Sequence, residues 1–230
     1  MNICGFEKFS LVDYDNYVTC TVFTKGCNFV CPFCHNSSLV IADKFAENIP
    51  EDVVFSYLTK RKGMVDAVCI TGGEPTLQPD LKDFIKKIKA MGFRVKLDSN
   101  GTKPELLAEL INENLVDYIA MDIKNSVEKY AQTVGLTSLD LNPIMKSIDI
   151  LKNSKIDYEF RTTLIKEYHT KQDIEKIAEL IKGAKNYAFQ KFVDNGECIT
   201  HNLTEIDKDV VDSYVEIVKP YVNNIKVRGY

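Results

Sequence analysis

The chain has 230 residues, of which 45% are hydrophobic and 27% are charged, and a formal net charge of −4. A chain of this length buries a sizeable core without disulfides or structural metal ions, and the composition excludes long disorder and low-complexity repeats. Its mild charge, without a basic stripe studded with aromatic residues, excludes a nucleic-acid-binding surface. It has no export signal and no uncharged apolar stretch approaching the ~18 residues of a membrane span, so we expect one cytoplasmic domain without a membrane partner.

Short β-branched or aromatic runs alternate with longer amphipathic stretches, which is the pattern of βα units around a parallel sheet. Residues 1–17 form an extension of mixed pattern that leads into this sheet, either as a strand or as a loop over one end. The predicted strands are residues 18–24, 67–71, 94–98, 118–122, 158–164 and 187–193, with a possible seventh at 225–228. Helices are predicted at residues 50–62, at 81–88, where Leu81 to Ile88 form an apolar stripe, and at 209–219. Two more begin at Pro104 and at Asn142, and another runs from a capping box of Thr170 and Asp173 to Gly183.

Three of the seven cysteines, Cys27, Cys31 and Cys34, fall close together after the first predicted strand. An odd number of cysteines without an export signal does not fit a disulfide framework, so metal or redox chemistry explains them better. Iron–sulfur clusters are usually held by four thiolates, so a compact set of three predicts a four-iron cluster with one iron left open for a non-protein ligand. Gly26 would let the backbone turn tightly beside such a cluster.

A zinc site is the alternative reading of these three cysteines. Structural zinc needs four ligands in a tetrahedron, and no second Cys-x-x-Cys or His-x3-His pair completes such a set. His35 is the one nearby candidate for a fourth ligand. The side chains expected to take no part in metal binding are Cys4, Cys20, Cys69 and Cys198, together with His169 and His201, which are isolated and expected at surface or loop positions.

Chemically suggestive residues also follow the later predicted strands. In parallel α/β architectures ligands bind at the carboxyl ends of the strands, so we expect these residues to converge with the three-cysteine loop. They are Gly72, Gly73 and Glu74 after the second strand, Ser99 and Asn100 after the third, and Asp122 with Lys124 at the fourth.

Residues 26–36, GCNFVCPFCHN, resemble the cluster loop of the radical S-adenosylmethionine (SAM) superfamily, and the Cys-His-Asn ending is similar to that of glycyl-radical enzyme activating enzymes. Residues 9–14, FSLVDY, resemble the opening of the anaerobic ribonucleoside-triphosphate reductase activating proteins. With the strand-end motifs, the resemblance covers almost the whole chain. It implies a partial (β/α)6 barrel, which agrees with the six main predicted strands, although periodicity alone does not separate such a barrel from an open doubly wound sheet.

The resemblance implies two cofactors, a 4Fe–4S cluster on the three cysteines and SAM, whose amino and carboxylate groups chelate the open iron. Phe33, between the second and third cysteines, would then lie against the adenine; ordinary loop packing is its alternative role. Gly72, Gly73 and Glu74 resemble the family's Gly-Gly-Glu motif, which receives the methionine ammonium group. A simple turn is the alternative there.

Residues 97–101, LDSNG, and 121–124, MDIK, resemble two further strand-end motifs of the activating enzymes. The resemblance implies that Asp98 and Asp122 help to bind a monovalent cation near the cofactor carboxylate, and that Lys124 helps to orient the cofactor. Each of these residues also has an ordinary structural role as its alternative. Asn100 and Gly101 could form a strand-to-helix turn, Lys124 could be a solvated lysine, and Arg161 in the fifth strand could form a surface ion pair. The further cofactor-binding residues expected here are Ser99, Asn100 and Arg161.

The implied activity is that of an activase. A flavodoxin or ferredoxin would reduce the cluster, SAM would be cleaved to a 5′-deoxyadenosyl radical, and this radical would take a Cα hydrogen from one glycine of a large partner enzyme. Anaerobic ribonucleotide reductase is the expected partner. Some pyruvate formate-lyase activating enzymes carry a proline-aromatic-histidine sequence after the sixth strand, whereas residues 190–193 of this chain are QKFV, which argues against that branch.

Two other functions stay open at this point. One keeps the cluster and SAM but directs the radical to a small molecule, as in deazapurine-forming relatives. The other is a non-enzymatic zinc or iron–sulfur binding module. Metal content and colour distinguish the last, since a four-iron protein is brown and binds about four irons per chain.

Overall fold

The computed structural model describes residues 1–41 and 47–230. Within these residues, eight strands form one sheet in which chain order and spatial order are the same. β1 pairs antiparallel with β2, and each later neighbouring pair is parallel. The strands are β1 (Ile3–Ser10), β2 (Thr19–Thr24), β3 (Ala67–Gly72), β4 (Arg94–Ser99), β5 (Tyr118–Asp122), β6 (Asp157–Leu164), β7 (Asn186–Lys191) and β8 (Asn224–Arg228).

Helices connect the parallel strands, as the alternating pattern predicts. Among residues 1–41 and 47–230, none of the helices has the length and the apolar character of a membrane span. The helices are α1 (Ser37–Val40), α2 (Glu51–Lys60), α3 (Leu81–Ala90), α4 (Pro104–Asn112), α5 (Tyr130–Thr133), α6 (Asn142–Lys152), α7 (Lys171–Leu180) and α8 (Lys208–Val218), and Pro75–Leu77 form a short 3-10 helix.

The sheet is an incomplete barrel, because β1 and β8 are its two edges and do not pair with each other. The six predicted main strands appear as β2 to β7, and the possible seventh appears as β8. The predicted partial barrel is therefore confirmed. Residues 1–17 contribute β1 as an eighth strand, whose irregular register against β2, shifted between Ile3 and Gly5 and again between Glu7 and Ser10, explains its mixed sequence pattern.

The predicted capping box begins α7 and also ties this helix to the loop after β5. The Thr170 side chain accepts a hydrogen bond from the backbone N–H of Asp173, and the Asp173 carboxylate accepts one from the backbone N–H of Thr170. Asp173 also binds Lys129 Nζ at 2.6 Å. Because Lys129 lies just before α5, the cap of α7 helps to fix the segment that leaves the carboxyl end of β5.

The carboxyl ends of β2 and β3 approach each other through glycine backbone. The backbone N–H of Gly73 donates to Thr24 O at 2.9 Å, and that of Glu74 donates to Gly26 O at 2.8 Å. A Cβ atom added at Gly73 would lie 2.0 Å from Gly26 O. Side chains are therefore excluded from this contact, which holds the turn after β3 against the start of the cysteine loop.

We expect Gly73→Ala to lower the free energy of unfolding by about 3 kcal/mol, because backbone rather than a movable side chain blocks the new methyl group. Gly63→Ala is the control: Gly63 has φ +82° but an added Cβ there would meet nothing within 4 Å. Backbone strain alone should cost about 1 kcal/mol at that position. Urea unfolding of the two variants measures the difference, and equal losses would contradict the close approach of the two turns.

Candidate active site

A cavity of about 470 Å³ lies at the carboxyl ends of the parallel strands. The strand-end segments that the sequence places in one site all contribute to its wall, so the predicted convergence is found. The predicted site residues that line it are Cys27, Cys31, Phe33, Cys34, Gly72, Gly73, Glu74, Asp98, Ser99, Asn100, Asp122, Lys124 and Arg161.

Backbone contacts with two other segments hold the cysteine loop in place. Val30 N donates to Val134 O at 3.0 Å, and Thr200 N donates to Pro32 O at 2.8 Å. At Gly135 an added Cβ would lie 2.2 Å from Val30 O, so the segment after α5 also meets this loop backbone to backbone. The loop is therefore anchored from two sides and leaves its cysteine side chains facing the cavity.

Burial keeps the three thiols protonated in the absence of metal. It raises the pKa of Cys27 to about 12 and that of Cys31 to about 11, and it also raises the pKa of Cys34. The thiolate is the form that binds metal, so metal binding must displace protons from all three side chains.

Phe33 is a buried residue of the cavity wall. Its side chain is 5% exposed, its ring centroid lies 6.0 Å from that of Tyr168, and Lys124 Nζ lies 6.0 Å from the ring. An aromatic face and an ammonium group therefore occupy the same part of the cavity, next to the last two cysteines.

Glu74 links the end of β3 to the end of β4. Its carboxylate is buried and accepts hydrogen bonds from the backbone N–H of Thr76, the hydroxyls of Thr76 and Ser99, and the backbone N–H of Asn100 at 2.6 Å. Burial raises the pKa of Glu74, against the effect of these donors. Asn100 Nδ2 donates in turn to Asn28 Oδ1 at 2.8 Å, which connects the β4 turn to the cysteine loop.

A cluster of five charged residues lies at the floor of the cavity, and four of them line it. Arg161 bridges the two carboxylates: its Nη1 lies 3.0 Å from Asp98 Oδ2, and its Nε binds Asp122 Oδ1. Lys96 Nζ lies 2.7 Å from Asp98 Oδ1, and Lys124 Nζ lies 2.8 Å from Asp122 Oδ2. We call these five residues the floor cluster.

The floor cluster is charged throughout. Burial alone would raise the pKa of each carboxyl, but Arg161 with Lys96 holds the pKa of Asp98 below its usual range, and Arg161 with Lys124 does the same for Asp122. Burial would likewise lower the pKa of Lys124, yet Asp122 holds it above the ordinary lysine value. Both aspartates are therefore carboxylates, and each is paired with two protein cations.

Two residues of this site carry no motif that identifies them. Lys96 lies two residues before Asp98 in β4, and the two-residue period of a strand puts both on one face, which is the signal that could have found it. His169 lies in a loop, as expected, but is only 2% exposed, and its Nε2 lies 2.9 Å from Lys124 O. Its role in holding the segment of Lys124 depends on tertiary packing and has no sequence signal.

Comparison with known families agrees with this site. The Radical SAM superfamily matches residues 21–181, which is more than half of the chain. A Methanocaldococcus jannaschii protein assigned to the glycyl-radical enzyme activating enzymes is 34% identical over 98% of this chain and 95% of its own length. The pyruvate formate-lyase-activating enzyme of Listeria monocytogenes is 32% identical over 72% of this chain and 70% of its own length.

More distant relatives carry other activities or share the fold alone. A Sulfolobus acidocaldarius protein named as a GTP 3′,8-cyclase is 29% identical over 90% of this chain and 74% of its own length. QueE from Escherichia coli, at 13% identity, has a TM-score of 0.59 over 99% of this chain and 93% of that chain. The chain belongs to the radical SAM superfamily and, within it, to the glycyl-radical enzyme activating enzymes.

The residues present fit the cluster and cofactor that this superfamily uses. Three thiols, and no other cysteine of the described ranges, line the cavity. His35 Nε2, next to Cys34, is buried without a hydrogen-bond partner, and such an atom calls for a polar group that the described protein residues do not supply. No group of three or more Cys, His, Asp or Glu in residues 1–41 and 47–230 is arranged for a single metal ion. Cluster ligands need not meet at one point, because each thiolate binds its own iron.

We expect stability to depend on pH through His169. Burial lowers the pKa of His169 below the ordinary 6.5, although hydrogen bonds to the backbone of Lys124 and Ile165 act to raise it, so the ring is neutral in the folded protein. The contribution of the neutral ring to the free energy of unfolding is present above pH 6.5. It is lost as the pH falls through the lowered pKa, because the unfolded chain binds the proton more strongly. His169→Phe should cost about 1–3 kcal/mol at pH 7.5 by leaving Lys124 O unpaired, and should show a smaller loss on acidification to pH 5. Urea unfolding of both metal-free proteins tests this; equal pH dependence would contradict it.

Proposed function

We propose that this protein generates a glycyl radical on anaerobic ribonucleotide reductase, with a 4Fe–4S cluster and SAM held in the strand-end cavity. The observation that carries the proposal is that the three cysteines and the residues of four strand ends line one cavity. Membership of the activating-enzyme family supports the reaction class, whereas the partner is inferred from sequence resemblance. A single domain and a cytoplasmic location are part of the same proposal.

Cys27, Cys31 and Cys34 would hold three irons of the cluster and leave the fourth for SAM. When bound, this pair supplies reductive cleavage of the S–C5′ bond and hence a radical that removes a glycine Cα hydrogen. Val30, inside the cysteine loop, is 43% exposed, so the loop reaches the protein surface where a flavodoxin or ferredoxin can approach. The protein's own task is to place the reacting atoms and to exclude water and oxygen.

The strand ends would bind SAM through complementary charge. Glu74 and the backbone of Gly72 and Gly73 would receive the ammonium group. Among the described residues, Glu74 Oε2 accepts one hydrogen bond, from Asn100, and a carboxylate oxygen has room for a second. The cations Lys124 and Arg161 line the same cavity and would attract the carboxylate group.

The remaining cofactor contacts follow from the cavity wall. The buried ring of Phe33 would pack against the adenine, with Lys124 Nζ 6.0 Å from it. Ser99 and Asn100 would act mainly through Glu74, to which both donate hydrogen bonds. Their predicted contact with the cofactor is part of this proposal.

The incomplete barrel suits a protein substrate. β1 and β8 do not pair, so no backbone ladder closes the barrel, although Asp15 after β1 forms ion pairs with Lys226 and Arg228 of β8. A glycine-bearing loop of a partner enzyme would enter at the carboxyl ends of the strands, where the cavity lies. Residues 190–193 offer no histidine to the cofactor, and Gln190 lines the cavity instead. Together with the resemblance of residues 9–14, this favours the ribonucleotide reductase branch over the pyruvate formate-lyase branch, to which the Listeria relative belongs by name.

A radical reaction on a small molecule is the second candidate function. The similarity to a protein named as a GTP 3′,8-cyclase favours it. In that case SAM cleavage would require a small substrate in the cavity, and no protein partner would acquire a radical.

The test is anaerobic reconstitution of the cluster, followed by addition of dithionite, SAM and the anaerobic ribonucleotide reductase of the same organism. Electron paramagnetic resonance should show a glycyl doublet on the reductase. The doublet should disappear with Cys31→Ala, because two thiolates do not hold the cluster. Cys4→Ala is the matched control, since Cys4 lies in β1 outside the cavity, and it should keep the doublet.

The other results separate the candidates. Formation of 5′-deoxyadenosine without a doublet, repeated with pyruvate formate-lyase as partner, would move the substrate to a small molecule. A doublet on pyruvate formate-lyase alone would replace the partner. Absence of both deoxyadenosine and radical would contradict the proposed function.

A further inference from the structure

The two carboxylates of the floor cluster have no oxygen left without a protein cation. Asp98 Oδ1 binds Lys96, and Asp98 Oδ2 binds Arg161 and the Thr71 hydroxyl, each at 3.0 Å. Asp122 Oδ1 binds Arg161, and Asp122 Oδ2 binds Lys124. A monovalent metal cation at these aspartates would therefore have to bind directly beside a protein cation, which repels it.

The charge of the floor cluster also disfavours an added metal cation. Two carboxylates face three cations, which leaves the cluster with a net positive charge. The other two carboxylates among the described wall residues, Glu74 and Asp13, lie outside this cluster: Glu74 accepts hydrogen bonds from Thr76, Ser99 and Asn100, and Asp13 accepts one from Thr21 at 2.5 Å. The residues present therefore do not fit the monovalent cation that the sequence resemblance implies.

Lys96 is the third cation of the floor cluster, and it approaches Asp98 from outside the cavity of the cysteines. It is 5% exposed and lines a second cavity, of about 340 Å³, rather than the cavity of the cysteines. Asp98 and Arg161 line both cavities, as do Asp13 and Gln190. Lys96 thus reaches Asp98 from below and leaves Arg161 and Lys124 on the side where a ligand carboxylate would lie.

We propose that the ammonium group of Lys96 takes over, from within the protein, the charge that a monovalent metal cation would bring to Asp98, so that SAM binds without K⁺ or Na⁺. Lys96 is a positioning residue, because it acts on the ligand through Asp98 and Arg161. Because Lys96 offsets the negative charge of Asp98, the positive charge of Arg161 is not fully balanced by the two aspartates. Arg161 can therefore also attract the ligand carboxylate. This inference rests on the proposed function, since it concerns SAM in the strand-end cavity.

The test is the dissociation constant of SAM for the reconstituted protein in KCl, NaCl and tetramethylammonium chloride at equal ionic strength. For the natural chain we expect values that agree within about twofold, because a buried ammonium is not exchanged with salt. Lys96→Met should bind SAM at least about 10-fold more weakly in tetramethylammonium chloride and recover affinity in KCl, because a small cation then reaches Asp98. Lys96→Arg should stay independent of the cation. Lys155→Met, at an exposed position outside both cavities, is the matched control.

Binding by the natural chain that tightens about 10-fold or more in KCl would overturn the inference and leave the proposed function standing. A folded Lys96→Met protein that binds SAM like the natural chain in all three salts would also overturn it. If Lys96→Met does not fold, the inference is tested on the natural chain and on Lys96→Arg. A SAM dissociation constant that depends on the salt cation in either protein contradicts the inference. Absence of SAM binding in every salt would contradict the proposed function itself.

Discussion

The architecture of the site depends on one backbone contact, the approach of Gly73 to Gly26. An added Cβ at Gly73 would lie 2.0 Å from Gly26 O, and the N–H of Glu74 donates to the same oxygen. This contact brings the cysteine loop after β2 against the turn after β3. Glu74 then continues the connection to β4 through Ser99 and Asn100. Three consecutive strand ends are thereby joined into one wall, which is how distant sequence motifs become a single cavity.

A second constraint is the cost of burying charge beneath that cavity. Isolated charges in the barrel interior would be strongly destabilising, and the floor cluster avoids this by pairing each carboxylate with two cations. The arrangement gives the cavity a positive floor and, at Glu74, an acidic wall. The carboxylate and ammonium groups of SAM present the matching charges, so the electrostatics of the site and the chemistry of the superfamily agree.

Much of this site was predictable because its residues follow strands whose type and order the hydrophobic pattern shows. The six main strands, the partial barrel and the convergence at the carboxyl ends all follow from that pattern and from the motif resemblance. β1 was not separable from a loop, since two register shifts disturb its alternation. The pairing of Lys96 with Asp98 and the burial of His169 depend on which neighbours the fold supplies, and local sequence does not encode that.

The most direct test of the central claim is Mössbauer spectroscopy with iron analysis on the anaerobically reconstituted chain. We expect about four irons per chain in one cluster, of which one iron changes its signal when SAM is added, because only that iron lacks a thiolate. The three cysteines of the cavity wall make this expectation specific. A single metal ion per chain, or a cluster whose spectrum SAM leaves unchanged, would show that the three cysteines do not hold a four-iron cluster with an open iron.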